Sequence, residues 1–173
     1  MASDPAALIR AVEGVASEWS DLFVAAAGAS AALAGLVFVA VSINVDRIIG
    51  APGLPDMALV TLMLLTGVLV VSLFCLVPDQ DAETLGTELL VQSAIWAVGI
   101  GAFVRRSLPR GQPRYRYLSR LVFPLFGTVP YVVGSLLLLS GDAAGMYWVF
   151  AGIIGAVIAA VSNAWVLLVE ILR

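Results

Sequence analysis

From Leu22 to Val45 the chain runs 24 residues without a charged side chain. About 20 such residues carry an α-helix across the ~30 Å hydrocarbon of a bilayer. Inside lipid a helix is favoured because it satisfies every backbone polar group internally. Four more apolar stretches follow, at 57–77, 85–104, 121–139 and 146–169, charged only at Glu88 near the start of the second of them. The whole chain of 173 residues is 61% hydrophobic and 12% charged, with a mean hydropathy of +1.04. Ordinary soluble domains carry about twice that share of charge. A water-soluble fold this small cannot hide so much apolar surface. The expected fold is therefore all-α, a polytopic transmembrane helix bundle of five spans forming one domain over 21–173.

The breaks between spans are legible. Asp46-Arg47 closes span one, and Gly50, Pro52, Gly53 and Pro55 make the next segment a loop. Pro78 stops span two. Span three has the shortest apolar core, Leu89 to Val104, and is extended to Leu85 with Glu88 at the water interface. Residues 105–120 form a basic connection. Span four contains Pro124, expected in its first turn, and Pro130, expected to kink or loosen the helix without breaking it. Ahead of the spans, Leu8, Val12, Val15 and Trp19 recur on one helical face. Ser3 or Asp4 can cap that helix and Pro5 can open it. Residues 1–20 are thus expected to form a short amphipathic helix lying in the interface. Asp4, Glu13 and Glu18 with only Arg10 leave no positive n-region, so no cleaved signal peptide is expected.

Cationic loops stay on the cytoplasmic side. The connection between spans three and four holds Arg105, Arg106, Arg110, Arg114, Arg116 and Arg120 and no acid. That places the N-terminus outside and the C-terminus in the cytoplasm. Eight of the nine Arg then lie inside and nine of the twelve acids outside. Omitting span three would put the acidic and Arg-rich segments on the same side. Trp19 and Trp148 fit an outer aromatic belt and Trp165 an inner one, while the deeper Trp96 reads as a packing residue.

Catalytic constellations are missing. There is no His, no HExxH, no GxSxG and no phosphate-binding glycine loop. No ionisable group lies deep in a span, which weighs against a proton-coupled transporter. Asp79, Asp81, Glu83 and Glu88 lack the spacing of a calcium loop and read as a solvated segment. The one cysteine, Cys75, excludes an internal disulfide and reads as a small buried hydrophobe. No catalytic residue, metal or cofactor is expected.

Three constellations remain. Ser42, Asn44, Thr61, Thr66, Ser162 and Asn163 lie at similar depth near the cytoplasmic leaflet. They read as interhelical hydrogen bonding, or alternatively as a polar vestibule. Ala27, Ala31 and Gly35 in span one, and Gly152, Ala156 and Ala160 in span five, repeat every fourth residue. Small faces of this kind let helices approach closely, within a chain or between chains. The six Arg of the basic loop, with Tyr115 and Tyr117, suit anionic lipid or a docking partner. Six Arg tethered to a membrane make a poor nucleic-acid site.

The segment Trp19-Ser-Asp-Leu-Phe-Val24, then Gly28-Ala-Ser-Ala-Ala-Leu-Ala-Gly-Leu-Val-Phe-Val-Ala-Val-Ser-Ile-Asn44, resembles the first span of a group of small bacterial membrane proteins. Asn163-Ala-Trp-Val-Leu-Leu-Val-Glu-Ile-Leu-Arg173 resembles their closing segment. Most of that group are uncharacterised, and some carry the label "modulator of FtsH protease". The resemblance implies a multi-pass protein of the bacterial inner membrane and transfers no catalytic residue. Together these features lead to a non-enzymatic protein acting by association, as an accessory or regulatory subunit of a membrane complex. The alternative is a homo-oligomeric ion or small-solute channel.

Overall fold

The computed structural model describes residues 16–51, 53–107 and 114–172, with side chains described over 16–51, 53–102 and 125–169. The described residues are helical and contain no strand. A 3-10 turn, Ser17–Trp19, leads straight into α1, Ser20–Ile43. The rest of the expected amphipathic helix lies outside the described residues. Then come α2, Val45–Gly50, α3, Leu54–Cys75, α4, Ala82–Ser107, α5, Arg114–Leu139, and α6, Gly145–Leu172. Among the described residues, four segments are long and apolar enough to cross a membrane, those carried by α1, α3, α4 and α6, and the part of α5 whose side chains are described, Leu125–Leu139, is apolar too.

The helices overrun the apolar stretches. Residues 105–120 were expected to connect two spans, yet α4 continues to Ser107 and α5 already begins at Arg114. Arg is a good helix former, so a helix begun in lipid costs little to extend into water. The segment after Asp46-Arg47 is likewise not all loop, since α2 covers it. The break comes earlier, at Asn44, whose backbone leaves helical geometry at φ −110°, ψ 21°. The Asn44 side-chain amide donates back to the Ala40 carbonyl at 2.9 Å, while its backbone N–H donates to the Val41 carbonyl at 3.2 Å, finishing α1. Ile48 of α2 then packs with Leu54, Ala58 and Leu167, folding α2 against α3 and α6.

Around α3 the bundle closes as a ring in the order α3, α4, α5, α6, with α1 laid on the outside of α3. Leu65, Val68 and Val71 of α3 are almost fully buried, facing Leu85 and Leu89 of α4, Leu138 of α5 and Val149 of α6. Gly53, in the left-handed region at φ 89°, and Pro55 in the first turn start α3 where backbone donors need no partner. The α3–α4 seam is the loosest in the ring.

Tight turns join the other helices. Asp81 caps α4, its carboxylate accepting from the Thr84 amide at 3.3 Å, and these contacts with Thr84 lower its pKa from the ordinary 3.8. Because the folded carboxyl is the stronger acid, the cap is fully present above the unfolded value and is lost as pH falls through the folded one. The protection of amides in the first turn of α4, taken as exchange relative to the intrinsic rate at each pH, is therefore expected to fall as pH drops through the carboxylate range. That protection should not change with pH in an Asp81→Asn variant. Between α5 and α6, Gly141 sits at φ 81°. The Asp142 amide donates to Leu137 and the Gly141 amide to Leu138, both at 2.9 Å. This pairing satisfies the last carbonyls of α5 and needs the left-handed residue that glycine supplies.

That turn brings α5 and α6 into backbone contact. A Cβ added at Gly145 would lie 2.6 Å from the Gly134 carbonyl oxygen, and one at Gly134 2.9 Å from the Gly145 oxygen. Farther along, a Cβ at Gly155 would lie 2.5 Å from the Phe126 oxygen. Phe126 is four residues before Pro130, so its carbonyl is the one that proline deprives of an amide donor. α5 runs on unbroken through Pro130. The freed carbonyl instead meets the bare Cα of Gly155 across the interface, the setting of a weak C–H···O contact.

Candidate functional site

Four of the six polar residues grouped in the sequence make hydrogen bonds within their own helices. Ser42 donates to the Phe38 carbonyl, Thr61 to Met57 and Ser162 to Ile158, each at 2.8 Å and each four residues back on its own helix. Asn44 does the same at the end of α1. A hydroxyl turned onto its own helix spends its one donor there. Thr61 is fully buried, Asn163 half-buried, and Ser42 and Thr66 exposed on the bundle surface.

The two small-residue stripes occupy different surroundings. On α6, Gly152, Ala156 and Ala160 are buried. Gly152 lies against the Tyr131 ring, where a Cβ would come within 2.7 Å, and Ala156 lies against Gly127. On α1, Ala27 is half-buried while Ala31 and Gly35 are exposed, and a Cβ added at Gly28 or Gly35 would meet nothing within 4 Å. α1 holds the bundle through one stripe, Phe23 and Ser30 fully buried with Leu33, Ala34 and Val37 beside them. Its upper end is pinned where Trp19 meets Tyr147 edge-on, ring centroids 5.0 Å apart.

The side chains of Arg105, Arg106, Arg114, Arg116 and Arg120 lie outside those described, as does Arg110 entirely. Their backbones, Arg110 excepted, belong to the facing ends of α4 and α5. Cys75 is buried without a disulfide. Among the described residues no cluster of three or more His, Cys, Asp or Glu could hold a metal.

The feature the sequence reading did not single out is a groove of about 430 Å³ in the loose seam between α3 and α4. Val70 and Phe74 line it from α3, Val91 and Ile95 from α4. Beside Thr87, whose hydroxyl donates to the Glu83 carbonyl at 2.9 Å, the polar residues of α4 along it are Glu88, Gln92 and Trp96, spaced every fourth residue and so stacked on one face of the helix. At the mouth, Gln80 donates to the Glu88 carboxylate at 2.7 Å. One turn deeper, the Gln92 amide donates to the Gly67 carbonyl at 3.1 Å. Gln92 is only 9% exposed, and its Oε1 has no partner. Another turn deeper, Trp96 lies directly over Gly67 with its Nε1–H also buried and unpaired. Buried polar atoms are nearly always paired, so two orphans on successive turns of one helix are unusual. The spacing Glu88-x-x-x-Gln92-x-x-x-Trp96 was present in the sequence, but only the gap against α3 gives it meaning.

Comparison with protein-family models, with curated proteins and with solved structures finds no match to this chain.

Proposed function

We infer that this is a non-enzymatic, multi-pass protein of a bacterial inner membrane that works by association, as an accessory or regulatory subunit of a membrane complex. The reading takes five spans, with the N-terminus outside and the basic α4–α5 connection in the cytoplasm. The observation that carries it is α1. This helix is attached along one narrow stripe, and its Ala31–Gly35 face is open, with Gly28 and Gly35 clear of any neighbouring atom. Within lipid such a face gains nothing from hydrophobicity, because lipid tails are as apolar as leucine. Close backbone packing against another helix is what small residues offer there. The local bonding of Ser42, Thr61 and Ser162 favours this reading over a polar pore.

Native mass spectrometry of the tagged protein, extracted gently from its own membrane, tests the reading. The expected mass contains a second protein, and Ala31→Leu with Gly35→Leu is expected to remove it while leaving the melting temperature intact. An assembly of identical copies that conducts ions in liposomes would sink the reading in favour of a channel.

A further inference from the structure

We propose that the facing ends of α4 and α5 together form one site for the headgroup of an anionic phospholipid in the cytoplasmic leaflet. The packing of the two helices gathers arginines that the sequence spreads out. A Cβ added at Gly86 of α4 would lie 3.0 Å from the Ser135 oxygen and 3.1 Å from the Leu139 nitrogen. The start of α4 therefore lies beside the end of α5, and the two helices run antiparallel. Each advances about 1.5 Å per residue, and α5 is unbroken over this length. Arg105 is 19 residues on from Gly86, and 19 residues back from Ser135 and Leu139 are Arg116 and Arg120. Arg105 thus stands level with the turn of α5 that Arg116 and Arg120 bracket, and Arg106 follows it. Four arginine positions from two helices fall within about 6 Å along the bundle and about 10 Å across it.

That level is where the hydrocarbon ends. Arg105 directly follows the apolar run of α4, and Arg120 directly precedes that of α5. Lipid phosphates lie in the layer just beyond the hydrocarbon. No Asp or Glu occurs between Glu88 and Asp142, so the pair of helices carries no counter-charge at this end. Like charges four residues apart on a helix repel, and an anion brought among them relieves that repulsion. The acids on this side of the membrane, Asp46, Asp56 and Glu170, belong to α2, α3 and α6. Arginine suits phosphate in particular, because its planar guanidinium offers two parallel N–H donors to one phosphate group. Basic positions between transmembrane helices on the cytoplasmic side are a recurrent way of holding anionic headgroups.

The test uses the purified full chain in detergent, titrated with phosphatidylglycerol and followed by native mass spectrometry. Phosphatidylcholine with the same acyl chains, which carries no net charge, is the comparison. One phosphatidylglycerol per chain is expected to be retained at a concentration at least about tenfold lower than phosphatidylcholine, since each nearby cation contributes roughly fivefold. Arg105→Gln with Arg106→Gln, and separately Arg116→Gln with Arg120→Gln, are each expected to erase that preference. Glutamine is about as good a helix former as arginine, so both helix ends are kept. Without lipid neither double variant is expected to melt below the parent. Arg10→Gln, the same kind of charge change on the far side of the membrane, is expected to leave the preference intact. Equal retention of the two lipids overturns the proposal. So does a preference that survives either double variant, or one that Arg10→Gln reduces as much as they do. Inorganic phosphate that raises the parent's melting temperature as far as phosphatidylglycerol does would overturn it too, as would loss of a co-extracted protein from the double variants with no change in lipid retention. The inference takes its five-span topology from the reading above but needs no partner protein. A lone chain that keeps its phosphatidylglycerol would remove the association reading and leave this one, and a chain that keeps its partner without the lipid preference would do the reverse.

Discussion

Replacing Gly155 with leucine is expected to abolish recovery of folded protein, and even Gly155→Ala is expected to cost about 1–3 kcal/mol, the range for overpacking a well-filled interior. A first methyl at this position would lie 2.5 Å from the Phe126 oxygen and 3.2 Å from its carbonyl carbon. Both are backbone atoms, so no rotamer change relieves the contact, and α5 and α6 would have to separate. Separation would break the other close approaches on the same seam, at Gly127, Gly134, Gly145 and Gly152. It would also take from the Phe126 carbonyl, which Pro130 deprives of its i+4 amide donor, the close contact with Gly155. Gly35→Ala is the matched control. Its added methyl meets nothing within 4 Å, and alanine is about 1 kcal/mol better than glycine in a helix. Titrating both variants with SDS in mixed micelles, read by tryptophan fluorescence, separates the two. Equal stabilisation at both positions would mean that helix propensity, not the α5–α6 contact, governs them.

The comparison between those glycines shows where sequence reasoning reaches and where it stops. That Leu22–Val45 and Met57–Val77 cannot live in water follows from hydropathy alone. Helices α1 and α3 duly cover most of both runs. Which of the two is central does not follow. Both are apolar on every side, and in a bilayer the lipid-facing side and the core-facing side are chemically alike. Val68 and Leu65 of α3 are buried while Leu36 and Phe38 of α1 are more than 60% exposed, with no difference in residue type to announce it. The stripes Ala27–Ala31–Gly35 and Gly152–Ala156–Ala160 are equally regular in sequence, yet only the second lies against a neighbouring helix along its length. The short turn at Ser140–Asp142 decides this, because it returns α6 onto α5 immediately. Nothing similar ties α1 down beyond α2.

The groove was hidden for a different reason. Glu88 and Trp96 each had an adequate local explanation, one at the interface and the other as packing. Gln92 is a neutral residue in an otherwise ordinary span. Its significance depends on a shortage of contact between α3 and α4, and a shortage of contact leaves no trace in one helix's own pattern. Gly67 is part of the same arrangement. Without a side chain it lets Trp96 and Gln92 lie on the α3 backbone, so the helices touch there and part above.

Tyr131 carries the second large effect, and its two substitutions are expected to have opposite signs. The side chain is 4% exposed, its ring covers Gly152, and its hydroxyl is buried without a hydrogen-bond partner. Tyr131→Ala removes the ring and leaves a cavity bounded by Gly152, which has no side chain to fill it. Losses of about 3–5 kcal/mol accompany such aromatic truncations. Tyr131→Phe keeps the ring and deletes only the orphan oxygen. An unsatisfied buried polar group costs about 1–3 kcal/mol, so phenylalanine is expected to stabilise the bundle by about 1 kcal/mol or more. The same SDS titration reads both variants against the parent. If Tyr131→Phe instead destabilises, the hydroxyl must have a partner, and an internal water bridging it to the surrounding helices would be the first to seek. If Tyr131→Ala is mild, α5 and α6 must be able to close over the vacated ring. That closure would contradict the rigid glycine contact from which the Gly155 result is expected, so the two experiments constrain each other.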